Sequence, residues 1–294
     1  MQLTLSALPP FSFSAVVRSH GWAQLAPYRA DSATSGIVYV HRLDSGRVTE
    51  LRIREAEGGV AVEAGAPLAE PEQAQVASDV TWMLGLDQDL SPFYALARNE
   101  PRLAQAEARA QGRVLRCPTL FEDTVKTMLT VNTSWAGTIR MVEALVAQFG
   151  DPLPGDTSRR AFPSPAQVAA ADEEILRSQT RLGFRAPSVL QLARAVASVD
   201  LDLESLRSPE IPTPELRQRL LAIRGVGPYA AANLLMILGR YDAIPIDSWA
   251  MKMVSQEWHG GQPVGPAEVE AAFERWGEWK GLAYWFWDWS ETPA

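Results

Sequence analysis

Between residues 36 and 65 the apolar and polar positions alternate in short runs. "GIVYVHRL", "RVTELRIRE" and "GVAVEAG" are rich in β-branched residues, and "DSG" and "EGG" between them are turn signals. In the middle run Leu51 and Ile53 alternate with Arg52 and Arg54, which predicts a strand with one buried and one wet face. The three runs predict an antiparallel meander that needs a partner layer, and they hold no catalytic constellation. From about Pro71 the period changes. "TLFEDTVKTMLTVNTSW" and "AGTIRMVEALVAQFG" carry apolar residues at three- and four-residue spacing and predict helices, the second closed by a glycine. "DPLPGDTSRRAFPSP" reads as a loop. Ser164-Pro165, Thr213-Pro214 and Gly265-Pro266 mark further helix starts, because proline at the first helical position lacks only an N–H that would be unpaired anyway. The expected fold is α+β: an antiparallel β-sheet domain over 1–85 and a mostly α-helical domain over 86–294.

One helical run is interrupted. In "LLAIRGVGPYAAANLL" an apolar helix runs to Arg224, turns through Gly225-Val226-Gly227 and restarts at Pro228. Glycine permits positive φ and close approach of backbone to a ligand. With Gly227 as N-cap and Pro228 behind it, free backbone N–H groups face outward at a helix N-terminus, where an anion is stabilised. Val226 can point inward and pin the turn. Such a notch holds one phosphate without reading a base. An ordinary helical hairpin with a glycine C-cap has the same local sequence. One short helix later, "AIPIDSW" places a single acid, Asp247, in apolar surroundings. By itself Asp247 reads as the N-cap of "SWAMKMVSQEW".

Composition narrows the classes. The chain has 294 residues, 47% hydrophobic and 21% charged, an ordinary globular balance. No apolar run approaches the roughly 20 residues needed to cross a bilayer, so no membrane association is expected. The N-terminus lacks a basic region and its prolines break the one apolar stretch, which argues against a signal peptide and for a cytoplasmic protein. A single cysteine, Cys117, excludes an intramolecular disulfide, a cysteine-ligated zinc site and a four-cysteine iron–sulfur cluster. The net charge of −8 counts against a broad nucleic-acid footprint and leaves room for a small local one.

"LLAIRGVGPYAAANLL" followed by "AIPIDSW" resembles the helix–hairpin–helix (HhH-GPD) DNA glycosylase superfamily. "GRVLRCPTLFEDTVKTMLTVNTSWAGTIRMVEALVAQFG" and "LGFRAPSVLQLA" resemble its 8-oxoguanine glycosylase branch, and "FERWGEWKGLAYWFWDW" is closer to the bacterial 3-methyladenine type. The likeness covers roughly the last two-thirds of the chain and implies a helical glycosylase core with its hairpin near 220–235. It implies a partner, double-stranded DNA containing a damaged base, and a monomeric enzyme at work on the bacterial nucleoid or in a nucleus. It assigns Asp247 the catalytic role. Gly225, Val226, Gly227 and Tyr229 become DNA-binding residues. Asn132, in an apolar context, becomes the side chain that fills the gap left by a flipped base; Phe184 becomes an aromatic wedge and Arg185 faces the orphaned base. Without the family likeness, Asn132 reads as a helix-surface or capping residue and Phe184 as core.

Trp249, Trp285 and Trp287 are candidates for the base pocket, although an aromatic stripe at helical spacing also describes a core. Bifunctional relatives carry a Schiff-base lysine where this chain has Tyr229, and Lys126, Lys252 and Lys280 all lie elsewhere. The expectation is therefore a monofunctional DNA N-glycosylase without AP-lyase activity. His20, His41 and His259 fall in no matched motif, so no general acid is evident. That favours alkylated purines, which leave readily, over 8-oxoguanine or a deaminated base. A non-catalytic, damage-binding helix–hairpin–helix protein is the reading from another class. No cofactor is expected beyond a structural monovalent cation at the hairpin carbonyls, which the family likeness allows.

Overall fold

A computed structural model describes residues 2–287. The chain forms two compact units, one from residues 1–89 with 113–205, the other from 90–112 with 206 onward. The α+β class holds. The sheet does not stand as a domain bounded at residue 85, because its unit also takes in the helices of 113–205.

In the first unit β1 (Gln2–Ser6), β2 (Tyr28–Asp31), β3 (Gly36–Arg42), β4 (Val48–Ala56) and β5 (Gly59–Ala64) make an antiparallel sheet in the order β1-β5-β4-β3-β2. The three strands read from alternation are present. The edge strands β1 and β2, "QLTLS" and "YRAD", were too short and too polar to register. Ile53 pairs with Ile37 and Val62, and Leu51 with Tyr39 and Ala64, so one apolar face is continuous across the three central strands. Leu51 and Ile53 are buried while Arg52 and Arg54 are exposed, as the alternation requires.

The predicted loop after residue 150 is a hairpin instead, β6 (Pro152–Leu153) with β7 (Asp156–Arg160), turning at Gly155 with φ 86°. Leu153 and Ala161 pack on Val40 and Val48, and Arg159 pairs with Glu50. The hairpin thereby covers part of the sheet's second face.

The helix Leu120–Thr130 is capped by Thr119, whose hydroxyl accepts the Glu122 N–H at 3.2 Å. It is buried on every side, including Glu122, Asp123 and Lys126. Lys126 donates to Glu122 at 2.7 Å and Glu122 also accepts from the Tyr39 hydroxyl at 2.5 Å. Asp123 accepts from the Trp22 indole at 2.7 Å and from the Cys117 N–H at 3.1 Å. Glu122 and Lys126 are buried as a hydrogen-bonded ion pair, whereas Asp123 has neutral donors only. The next helix, Trp135–Phe149, starts at the Ser134 cap. Gly150 ends it for want of space, not of left-handed backbone: a Cβ there would lie 2.1 Å from the Ala161 carbonyl.

In the second unit the helices Thr213–Leu221 and Pro228–Ile237 form the predicted hairpin, followed by Ser248–Trp258, Pro266–Phe273 and Lys280–Trp285. The segment 90–112 is tied to them by Arg102, which grips Glu257 with two bonds of 2.7 and 2.9 Å, by the Glu100–Arg275 pair, and by Phe93 against Trp279. Trp258, Phe273, Trp276 and Trp287 pack ring on ring, with centroids 5.1 to 6.4 Å apart. No helix among the described residues is long and apolar enough to cross a membrane.

Candidate active site

The hairpin turn has the conformation its sequence demands. Val226 is buried and its N–H returns to the Ile223 carbonyl at 3.0 Å, closing the turn. Gly225 has φ 89°, a value that favours glycine. Gly227 is the N-cap of Pro228–Ile237, with φ −88° and ψ −176°. That backbone suits any residue, so glycine is not required there by strain. A Cβ on Gly227 would meet nothing within 4 Å, so the turn is open on that side. The first N–H groups of the helix, at Tyr229 and Ala230, have no acceptor within it.

Asp247 does cap Ser248–Trp258. Its Oδ1 accepts the Ala250 N–H at 2.9 Å, while Oδ2 has no hydrogen-bond partner among the described residues, and the side chain is neither buried nor fully exposed. Tyr229, the second residue of the hairpin helix, is half-buried. Burial first, and then the negative charge of Asp247, push its phenol above the ordinary range. Tyr284 is buried, and its phenol is pushed up by burial, then by Asp247, then by Tyr229. Asp247 and the two phenols therefore form one electrostatic group, with the carboxylate as its charge and the phenols as protonated donors.

The fold sets this group up through one glycine. The N–H of Gly281 donates to the Tyr241 carbonyl at 2.6 Å, and a Cβ on Gly281 would stand 2.4 Å from the Ala243 carbonyl. The helix Lys280–Trp285 thus lies directly on the segment that leads to Asp247, and Tyr284, three residues on, shares that face. Sequence reading passed over Tyr284. Its only signal was that spacing from Gly281.

The three tryptophans separate. Trp249 follows Asp247 by two residues and is 38% exposed, Trp285 is half-buried, and Trp287 belongs to the aromatic core with Trp258, Phe273 and Trp276. Trp287 is thus a core residue and not the pocket wall its spacing suggested. None of the lysines stands with Asp247 in this group: Lys252 is exposed, Lys280 pairs with Glu270 and Glu274, and Lys126 is buried in the first unit. Among the described residues no cluster of histidine, cysteine, aspartate or glutamate could hold a metal ion. A cation at the hairpin would have backbone carbonyls as ligands, and that of Ile223 already accepts the Val226 N–H.

Asn132, Phe184 and Arg185 gather in the first unit. Asn132 is exposed, not embedded in apolar surroundings, and holds a left-handed φ of 51°, which asparagine tolerates better than most residues. Phe184 is 64% exposed, which excludes the core reading. The Arg185 guanidinium lies 4.3 Å from the Phe184 ring centroid, and its Nη2 donates to the carbonyls of Val131 and, at 3.1 Å, Asn132. Arg185 thus ties Phe184 to the backbone at Asn132.

The chain is similar in sequence and in fold to known proteins. The match to a 3-methyladenine DNA glycosylase of Bacillus subtilis is 27% identical over 62% of this chain and 60% of that protein, so it spans less than two-thirds of the relative. The fold is shared with a 3-methyladenine DNA glycosylase from Archaeoglobus fulgidus (TM-score 0.78, 19% identity, 99% of both chains). It is shared as well with an 8-oxoguanine glycosylase/lyase from Clostridium acetobutylicum (TM-score 0.74, 17% identity, 98% of this chain and 96% of that one). The family model for HhH-GPD superfamily base excision DNA repair proteins matches residues 125–278, just over half of the chain and including the hairpin and Asp247. The chain belongs to the HhH-GPD superfamily of base excision DNA repair proteins.

Proposed function

We propose that this protein is a monofunctional DNA N-glycosylase that hydrolyses the glycosidic bond of a flipped, damaged base in double-stranded DNA, with alkylated purines as its preferred substrates. The observation that carries this is the Asp247 carboxylate. One oxygen is fixed by the Ala250 N–H, the other has no hydrogen-bond partner among the described residues, and the carboxylate's charge is felt by the phenols of Tyr229 and Tyr284. Breaking a glycosidic bond leaves positive charge on the sugar, and a fixed carboxylate next to C1′ stabilises that charge as it forms. The free oxygen can also orient or deprotonate the attacking water. The open Gly225-Val226-Gly227 turn would hold a phosphate of the strand on its backbone N–H groups. A base inside a duplex is out of reach, so the nucleotide must be extruded first, with Phe184 as wedge and Asn132 in the vacated space.

Tyr229 at the lyase position cannot form an imine, which supports base release without strand cleavage. The exposed indole of Trp249 with Trp285 offers π faces to a cationic ring, and the name of the Bacillus relative points to the same substrate class. A panel of duplexes, each carrying one lesion, tests the reading, with Asp247→Asn as control. Release of alkylated purines by the native protein, lost in the variant, is the expected result. Release of neutral bases only would move the substrate to 8-oxoguanine or a deaminated base. Tight lesion binding with no turnover would make the protein a damage sensor.

A further inference from the structure

We infer that Trp135 is a positioning residue for the Asn132 tip, part of a brace that holds the gap-filling side chain ready before DNA arrives. The inference rests on the gap-filling reading of Asn132. Asn132 sits in the short crossing between two helices, exposed and in a left-handed backbone conformation that asparagine tolerates but that its own sequence does not impose. An exposed tip of this kind keeps one shape only where its surroundings hold it. They do so on three sides. Arg185 donates to the Val131 and Asn132 carbonyls. Thr138, one turn into the second helix, donates to the Leu129 carbonyl at 2.9 Å and ties the two helix ends. The third side is Trp135.

Trp135 opens the second helix, and its ring is 37% exposed. It is nonetheless fixed, because its indole N–H donates to Gln24 Oε1 at 2.9 Å. The ring also lies so close over Gly21 that a Cβ there would stand 2.1 Å from Cζ2 and 2.3 Å from Cη2. Gly21 and Gln24 bound one short 3-10 turn. That turn is anchored in its own right: the Trp22 indole donates to Asp123, and the His20 ring bonds the Leu115 carbonyl at 2.6 Å. Asp123 belongs to the very helix that ends at the tip. The contacts close a ring, from Asp123 through Trp22 to Gln24, across to Trp135, and back through Asn132 to the helix of Asp123. A rigid ring around the tip removes the ordering cost that a mobile loop would bear when it enters the duplex.

The test uses a duplex with 2-aminopurine beside the lesion, whose fluorescence reports unstacking as the base leaves the helix. Trp135→Ala should lower the flipped fraction about tenfold while affinity for undamaged duplex stays within about twofold. Gln24→Ala, which removes only the acceptor, should show a smaller loss of the same kind and guards against a Trp135 variant that does not fold. Asn132→Ala should resemble Trp135→Ala, and the double variant should add little, since residues that act as one unit are not additive. Should both Trp135→Ala and Gln24→Ala flip like the native protein while Asn132→Ala fails, the brace is refuted and the gap-filling role stands. Parallel loss of flipping and of undamaged-duplex binding in Trp135→Ala would also refute it, as a general defect. A native protein with no flipping signal, or an Asn132→Ala variant that flips normally, would remove the underlying reading instead.

Discussion

The cap that Asp247 makes and the catalytic role proposed for it can be separated by substitution. Asparagine caps helices as well as aspartate, so Asp247→Asn should keep the Ala250 contact and the native denaturant midpoint, yet lose roughly 100- to 1,000-fold in base release. Asp247→Ala should lose the same activity and, with the cap gone, about 1 kcal/mol of stability. Native activity in Asp247→Asn would show that the carboxylate is only a cap. The two hairpin glycines separate in the same manner. Gly225, at φ 89°, should lose about 1 kcal/mol on change to alanine, read from chemical denaturation. Gly227 has ordinary backbone and open space in front of it, so Gly227→Ala should fold normally. Its methyl group would stand where a phosphate approaches, and affinity in a DNA titration should fall about tenfold, or about 1.4 kcal/mol.

At the scale of elements, the helix Lys280–Trp285 depends on the absence of a side chain at Gly281. Gly281→Ala must push that helix off the Tyr241–Ala243 carbonyls and carry Tyr284 away from Asp247. The expected cost is about 1–3 kcal/mol in melting experiments, with slowed base release at temperatures where the variant is still folded. Full activity would show that Tyr284 is not part of the site. How much of this was readable beforehand follows from where the information lay. Strands β3 to β5, the helix starts at Ser164-Pro165 and Gly265-Pro266, the hairpin and the Asp247 cap are local patterns and appeared where the sequence placed them, while the start at Thr213-Pro214 came one residue early, with Pro212 in the cap position. The hairpin at Pro152–Arg160 escaped because its partner surface, Val40 and Val48, lies over a hundred residues away in sequence. Glu122, Asp123 and Lys126 look like a wet helix face in one dimension. Only Tyr39, Trp22 and Cys117, brought in by the fold, make their burial tolerable. The burial of Trp287 in the aromatic core, and the influence of Asp247 on Tyr284, escaped for the same reason, since spacing along the chain does not say which side the other helices cover.

For the molecule as a whole, two buried groups pull the pH dependence of stability in opposite directions. Burial lowers His20 to about 4 even though its ring bonds the Leu115 carbonyl, and burial raises Asp123 to about 7 against the bonds from Trp22 and Cys117. Unfolding lets His20 take up a proton below its ordinary 6.5, so its contribution fades as pH falls from there toward 4. Unfolding lets Asp123 release a proton above its ordinary 3.8, so its contribution fades as pH rises from there toward 7. In the native protein the two slopes oppose each other. Asp123→Asn should therefore lose stability on acidification between about pH 6.5 and 4.5, and His20→Gln on the opposite change, each by at most about 1.4 kcal/mol per pH unit. Urea midpoints across that range would decide, and parallel profiles in both variants would contradict the assignment. The net charge of −8 further predicts a shallow fall of DNA affinity with salt, since few phosphates would be neutralised.

The chain path has a consequence of its own. Since 90–112 belongs with the residues after 205, no single cleavage yields both units whole. A fragment beginning at residue 206 would carry the hairpin and Asp247 yet bare the surfaces that Phe93, Tyr94, Leu103 and Ala106 cover. Restoring such a fragment would take the excised stretch supplied as a separate peptide, with Arg102 and Glu257 as the clasp.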